Sequence, residues 1–185
     1  KRETFERLLE ENKMGAMATL MNLRNMIKEN VKRNVIKQAI QQMNEKRILP
    51  FKFFNASYYA PSFENELEAK MLSSAQSYSK LAGHVAIIVD ISGSMGMPIS
   101  GKSNITRKDA AQALAMFIRE ISEDVSIYAF HNDIFEIPSR KGFALRDVMN
   151  SHGSGGTNLG KAVHTANKEK PDIVIAITDE QSHDD

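Results

Sequence analysis

The run His84-Val-Ala-Ile-Ile-Val-Asp-Ile-Ser-Gly-Ser94 decides the fold. Its first seven residues form a short, nearly continuous apolar stretch, the pattern of a strand buried on both faces of a parallel sheet. Directly after that strand come Asp90, Ser92 and Ser94, a carboxylate and two hydroxyls on alternate residues, with Gly93 between the serines to free the backbone. In an open α/β sheet, the crevice at the carboxyl ends of the strands is the usual ligand position. The loop is therefore expected to carry a site.

Downstream of this run, strands alternate with helices. Thr106 and Asp109 have capping-box spacing, and Ala110, Leu114, Phe117, Ile118 and Ile121 offer an apolar helix side. Val125 to Phe130 reads as a strand that turns through His131-Asn132-Asp133 into Ile134 to Ile137. Residues 143–150 and 158–169 read as helices, and Asp172 to Thr178 as another buried strand. This alternation predicts an α/β layer fold. Two later segments reach the same sheet edge: Gly155-Gly156-Thr157 opens a helix with a hydroxyl, and Thr178-Asp179 ends a strand with a second carboxylate. Oxygen donors of this kind suit Mg²⁺, with Mn²⁺ or Ca²⁺ as alternatives, and not a soft metal.

Upstream, residues 1–47 read as helices. Leu20, Leu23 and Ile27 recur at helical spacing, as do Val35/Ile36, Ala39/Ile40 and Met43. Gly15 is expected to separate the first two helices and Pro50 to end the third. Phe51 to Pro61, aromatic and turn-rich, is expected to be an irregular crossing. Ser62 is then placed to cap a helix with Phe63, Leu67, Met71 and Tyr78 on its apolar face. Met14, Met17, Met21 and Met26 read as core filler.

The 185 residues suffice for one medium domain or one domain and part of another, and 42% hydrophobic with 25% charged residues is a globular composition. Without cysteine, disulfides and thiolate metal sites are excluded, which fits a cytoplasmic setting. No run approaches the roughly 20 apolar residues of a membrane helix. The net charge is only +1, so global basicity does not point to nucleic acid. The charge is unevenly spread, however. Arg24, Lys28, Lys32, Arg33, Lys37, Lys46 and Arg47 cluster against Glu29 and Glu45, while Asp179, Glu180, Asp184 and Asp185 make the end acidic. Arg24 and Lys28 share a helix face, as do Arg33 and Lys37, and such faces can track phosphates with little sequence readout. On composition alone they are a solvated surface. Phe51, Phe53, Phe54, Tyr58 and Tyr59 could stack on unpaired bases, but such a cluster more often forms core. His131, His152 and His164 are scattered and offer no general base, and the lysine-bearing phosphate loop is absent.

The ordered set Asp90, Ser92, Ser94, Thr157 and Asp179 resembles the metal-ion-dependent adhesion site of the von Willebrand factor A family. That resemblance implies a divalent cation completed by a partner's acidic group, on a Rossmann-like α/β domain over residues 82–185 that stops short of its full length. The preceding Gly15-Ala-Met-Ala-Thr-Leu-Met-Asn-Leu-Arg-Asn-Met26, its basic helix and the Leu49-Pro-Phe segment look like the end of a TROVE module, assigned to residues 1–81. Helical (HEAT-like) repeats running into an A domain are similar to the Ro ribonucleoprotein family. One position departs from it, since Met21 stands where the family carries arginine. The resemblance implies a non-enzymatic protein that binds small noncoding and misfolded RNAs, with Arg24, Lys28, Lys32, Arg33 and Lys37 as candidate contacts. A nuclease or another protein would be the partner at the metal. The alternatives are an adhesion module without an RNA role and, further off, a metal-dependent nuclease. The opening Lys1 and the missing later strands lead us to expect a piece of a longer protein.

Overall fold

Val85 to Asp90 are all buried, each side chain on either face of the strand that holds them, as the apolar run requires. The structure, a computed structural model, describes residues 1–101 and 103–180; Asp184 and Asp185 of the acidic end lie outside them. The described chain divides into two compact units, the first spanning Lys1–Ser77 and the second beginning at Tyr78.

In the second unit, β1 (Leu81–Asp90) lies between β2 (Ser122–Phe130) and β4 (Ile173–Ile177), parallel to both, and β3 (Ile134–Ile137) runs antiparallel to β2. The sheet order β3-β2-β1-β4 reverses direction at β1, so the topological switch point falls at the end of that strand. Helix α6 (Arg107–Ile121) connects β1 to β2, while α7 (Gly142–Asn150) and α8 (Leu159–Asn167) connect β3 to β4. Ala162 and Ala166 of α8 pack on Ala86, Ile88, Tyr128 and Phe130. Small helix residues let α8 approach the sheet closely, and each large aliphatic side chain sealed there contributes about 1.5–3 kcal/mol. On α6 the capping box forms as its spacing predicts: Thr106 Oγ1 accepts from the Asp109 amide, and an Asp109 carboxylate oxygen accepts from the Thr106 amide. The expectation for the buried side of α6 is met in part: Ile118 is buried as expected and Ala110, Phe117 and Ile121 are half-buried, but Leu114 is exposed, and Ala111, Ala115 and Met116 are buried as well.

The first unit is helical: α1 (Arg2–Glu10), α2 (Ala16–Lys28), α3 (Arg33–Gln42), α4 (Pro50–Tyr59) and α5 (Glu64–Ala75). Gly15 stands immediately before α2, as expected. Three expectations need correction. Pro50 does not end α3, which stops at Gln42; it opens α4, where its fixed φ suits the first helical position. Phe51 to Tyr59 is accordingly helical, with Phe53 and Phe54 in the core. Ser62 lies inside a 3₁₀ turn, Pro61–Phe63, and Phe63 precedes α5, so α5 has no side-chain cap and ends before Tyr78. Met26 is buried, but Met17 and Met21 are exposed, Met21 by 71%.

Candidate metal centre

The sheet order brings the ends of β1 and β4 side by side, and the loops that follow them meet. Asp90, the last residue of β1, is fully buried. Its Oδ1 accepts from the Ser92 amide at 2.8 Å, and its Oδ2 accepts from Thr178 Oγ1 at 2.7 Å. No described residue forms an ion pair with it. Ser92 Oγ lies 3.2 Å from Ser94 Oγ, and Ser94 Oγ donates to Asp179 Oδ1 at 3.3 Å. Four of the five sequence-predicted donors thus form one hydrogen-bonded chain across the switch point.

Thr157 joins through the backbone. The Gly93 amide donates to the Gly155 carbonyl at 2.8 Å, which sets the Gly155–Thr157 segment against the Ser92–Ser94 loop. A Cβ on Gly156 would lie 2.4 Å from Asn132 Oδ1, so the absence of a side chain there lets the segment seat against the β2–β3 turn. Thr157 is itself buried, and its hydroxyl has no hydrogen-bond partner among the described residues. Asn158 follows as the cap of α8, accepting from the Lys161 amide.

These residues fit a hard divalent cation. A buried carboxylate without a cation partner costs several kcal/mol. A cation bound among oxygen donors relieves that cost, and the unpartnered Thr157 hydroxyl offers a further donor. Among the described residues no group of three or more His, Cys, Asp and Glu could hold a metal, so the set rests on two carboxylates and three hydroxyls.

Sequence reasoning missed one member. Arg107, the first residue of α6, donates from Nη1 to Asp179 Oδ2 at 2.6 Å. The partners are 72 residues apart, and no local signal links them. The histidines are less scattered than they read. His131 and His152 both pack on Phe135, at ring distances of 5.1 and 4.3 Å, and His131 Nδ1 accepts from the Asp133 amide. At the other end of β1, His84 Nε2 lies 2.9 Å from Ser126 Oγ. There burial, with a hydrogen bond from the hydroxyl to Glu169, pushes the Tyr128 phenol up to about 12.

The five basic candidates lie on α2, α3 and the turn between them. Arg24 stacks over Tyr59, and Arg33 covers Phe63 while donating to the Ser62 carbonyl. Lys37 pairs with Glu66 at 2.8 Å, and this hydrogen bond holds the Glu66 carboxyl below its ordinary value despite partial burial. Lys32 lies 3.8 Å from Glu6. Lys28, in the last turn of α2, has no partner among the described residues.

Among known proteins, a family model described as the Ro60 vWA domain matches residues 84–184. Among solved structures, the crystal structure of the Deinococcus radiodurans Ro (RSR) protein is similar, with a TM-score of 0.67 and 18% identity. That match covers 91% of this chain but 40% of the other, so this chain spans well under half of that protein's length, and the likeness is one of fold. No curated protein matches the chain by sequence.

Proposed function

Because the chain belongs to the Ro60 vWA domain family, we propose that it is the part of a Ro-type RNA-binding protein that joins helical repeats to a cation-dependent binding site. The observation that carries the site is Asp90, buried without a cation partner among the described residues, beside Ser92, Ser94 and Asp179. In this reading Asp90, Ser92, Ser94, Thr157 and Asp179 hold Mg²⁺, with Mn²⁺ or Ca²⁺ as alternatives. The cation supplies positive charge to which an acidic group of a protein or RNA partner attaches. With two carboxylates and three neutral hydroxyls as the protein's share, the ion is left partly uncompensated and able to take an incoming anion.

The reading is one of binding, not catalysis. His131 uses a ring nitrogen within its own turn, and both His131 and His152 are held against Phe135. The RNA role is supported by family membership and by the basic residues of α2 and α3. Arg24 and Lys28 are the better candidates, since neither has a hydrogen bond or ion pair among the described residues, although Arg24 stacks over Tyr59, whereas Lys32, Arg33 and Lys37 are so engaged. No helix among the described residues is long and apolar enough to cross a membrane.

The test is a gel-shift titration against structured noncoding RNAs with and without single-stranded 3′ tails, across salt, with and without EDTA. We expect tail-dependent binding that falls with salt, that weakens at least roughly tenfold in R24E/K28E, and that survives EDTA. Binding no tighter than to random duplex would remove the RNA role and leave a cation-dependent protein-binding module.

A further inference from the structure

We propose that Arg107 sets the affinity of the cation site by acting as an internal counter-ion that competes for Asp179. This rests on the divalent-cation reading above.

The pair is built into the site. The Asp179 side chain is only 8% exposed, and its two oxygens are divided: Oδ1 accepts from Ser94 Oγ at 3.3 Å, and Oδ2 accepts from Arg107 Nη1 at 2.6 Å. A charge-assisted bond of this length to a shielded carboxylate is among the stronger side-chain contacts available. Asp90, by contrast, has hydrogen bonds but no cation partner among the described residues. Among the described residues, one carboxylate of the site therefore already carries a positive partner, while the other does not.

Arg107 stands where helix electrostatics disfavour it. It is the first residue of α6, at the positive end of the helix dipole, where acidic groups are stabilised and cations are not. The surrounding backbone is fixed nonetheless. The Thr106–Asp109 capping box sets the helix start, and the Arg107 amide donates to the Met97 carbonyl at 2.9 Å. Ile99 donates to the Ile105 carbonyl, and Pro98 bridges Thr106, closing the loop that runs from the Ser92–Ser94 turn to α6. The guanidinium thus reaches Asp179 from a hydrogen-bonded helix start, at a position that helix electrostatics disfavour.

Two cations sharing one carboxylate repel each other, and the low exposure of Asp179 limits solvent screening between them. Arg107 consequently lowers the site's affinity for a divalent cation and keeps Asp179 partnered when the cation is absent. Removal of the guanidinium charge should tighten cation binding, the opposite of what loss of a supporting side chain would do.

The experiment is a titration of the full chain with Mn²⁺, followed by the loss of free-ion signal in electron paramagnetic resonance. R107Q and R107M, the second keeping the aliphatic stem, are compared with R107K, which keeps the charge. We expect R107Q and R107M to bind Mn²⁺ roughly tenfold tighter than wild type, and R107K to stay within about twofold of it. Circular dichroism reports the fold of each variant, and either charge-removing variant that folds decides the result. Wild-type binding with equal or weaker binding in either charge-removing variant that folds would overturn the competition and leave the cation site standing. No binding in wild type or variants, with the fold intact, would overturn the cation reading itself and the competition with it.

Discussion

At Asp90, the Ser92 amide and the Thr178 hydroxyl each occupy one carboxylate oxygen, yet neither neutralises the charge. An asparagine fits the same contacts. Its Oδ1 can accept from the Ser92 amide, and its Nδ2 can donate to Thr178 Oγ1. D90N therefore replaces the carboxylate while keeping a contact to each neighbour, with the Thr178 hydroxyl turning from donor to acceptor, and replacing a buried ionisable group in this way can stabilise a fold. In EDTA, we expect D90N to melt above wild type, by about 2–4 °C for each kcal/mol relieved. A lower melting temperature in EDTA would mean that the Asp90 charge is already compensated in the cation-free protein. At this scale the carboxylates and hydroxyls were legible, because their spacing after a buried strand is a local pattern. Arg107 was not, because its partner arrives through the sheet.

At the scale of elements, β1 joins two ends with different tasks. Its carboxyl end holds Asp90, whereas its start is fixed by Gly83 and Asp172. Gly83 has φ +81°, a conformation other residues adopt only with strain, and a Cβ there would meet Asp172 Oδ2 at 2.4 Å. That same oxygen accepts from the His84 amide at 2.7 Å, tying β1 to the approach of β4. G83A is expected to cost about 1–3 kcal/mol through backbone strain and the displaced Asp172. It should leave cation affinity unchanged, since seven residues of strand put the site roughly 20 Å away. A wild-type melting temperature for G83A would contradict this. The elements of the second unit were largely legible, since buried strands and the Thr106–Asp109 capping box announce themselves over a few residues. Helix α4 was not. Its run of aromatic residues favours strand or turn on propensity, and Pro50 looks the same whether it stops one helix or starts another. Burial of Phe53 and Phe54 against neighbouring helices overrides that propensity.

For the molecule as a whole, the sequence pattern separates a helical unit from a sheet unit, and the structure contains both. Element order and the donor set suggested the family, and the match over residues 84–184 shows it. The basic character of α2 and α3 was legible as charge, but not as free charge. Lys37 is bound to Glu66, Arg33 to the Ser62 carbonyl and Lys32 to Glu6, contacts that depend on how distant helices pack. The account stands on the convergence of Asp90 and Asp179 at the switch point of the sheet. Isothermal titration of Mg²⁺ into the wild-type chain and into D90N tests this most directly. We predict a single saturable site in wild type and at least roughly hundredfold weaker binding in D90N, in line with the loss of a principal carboxylate ligand. Equal Mg²⁺ binding by the two proteins, or none by folded wild type, would contradict it.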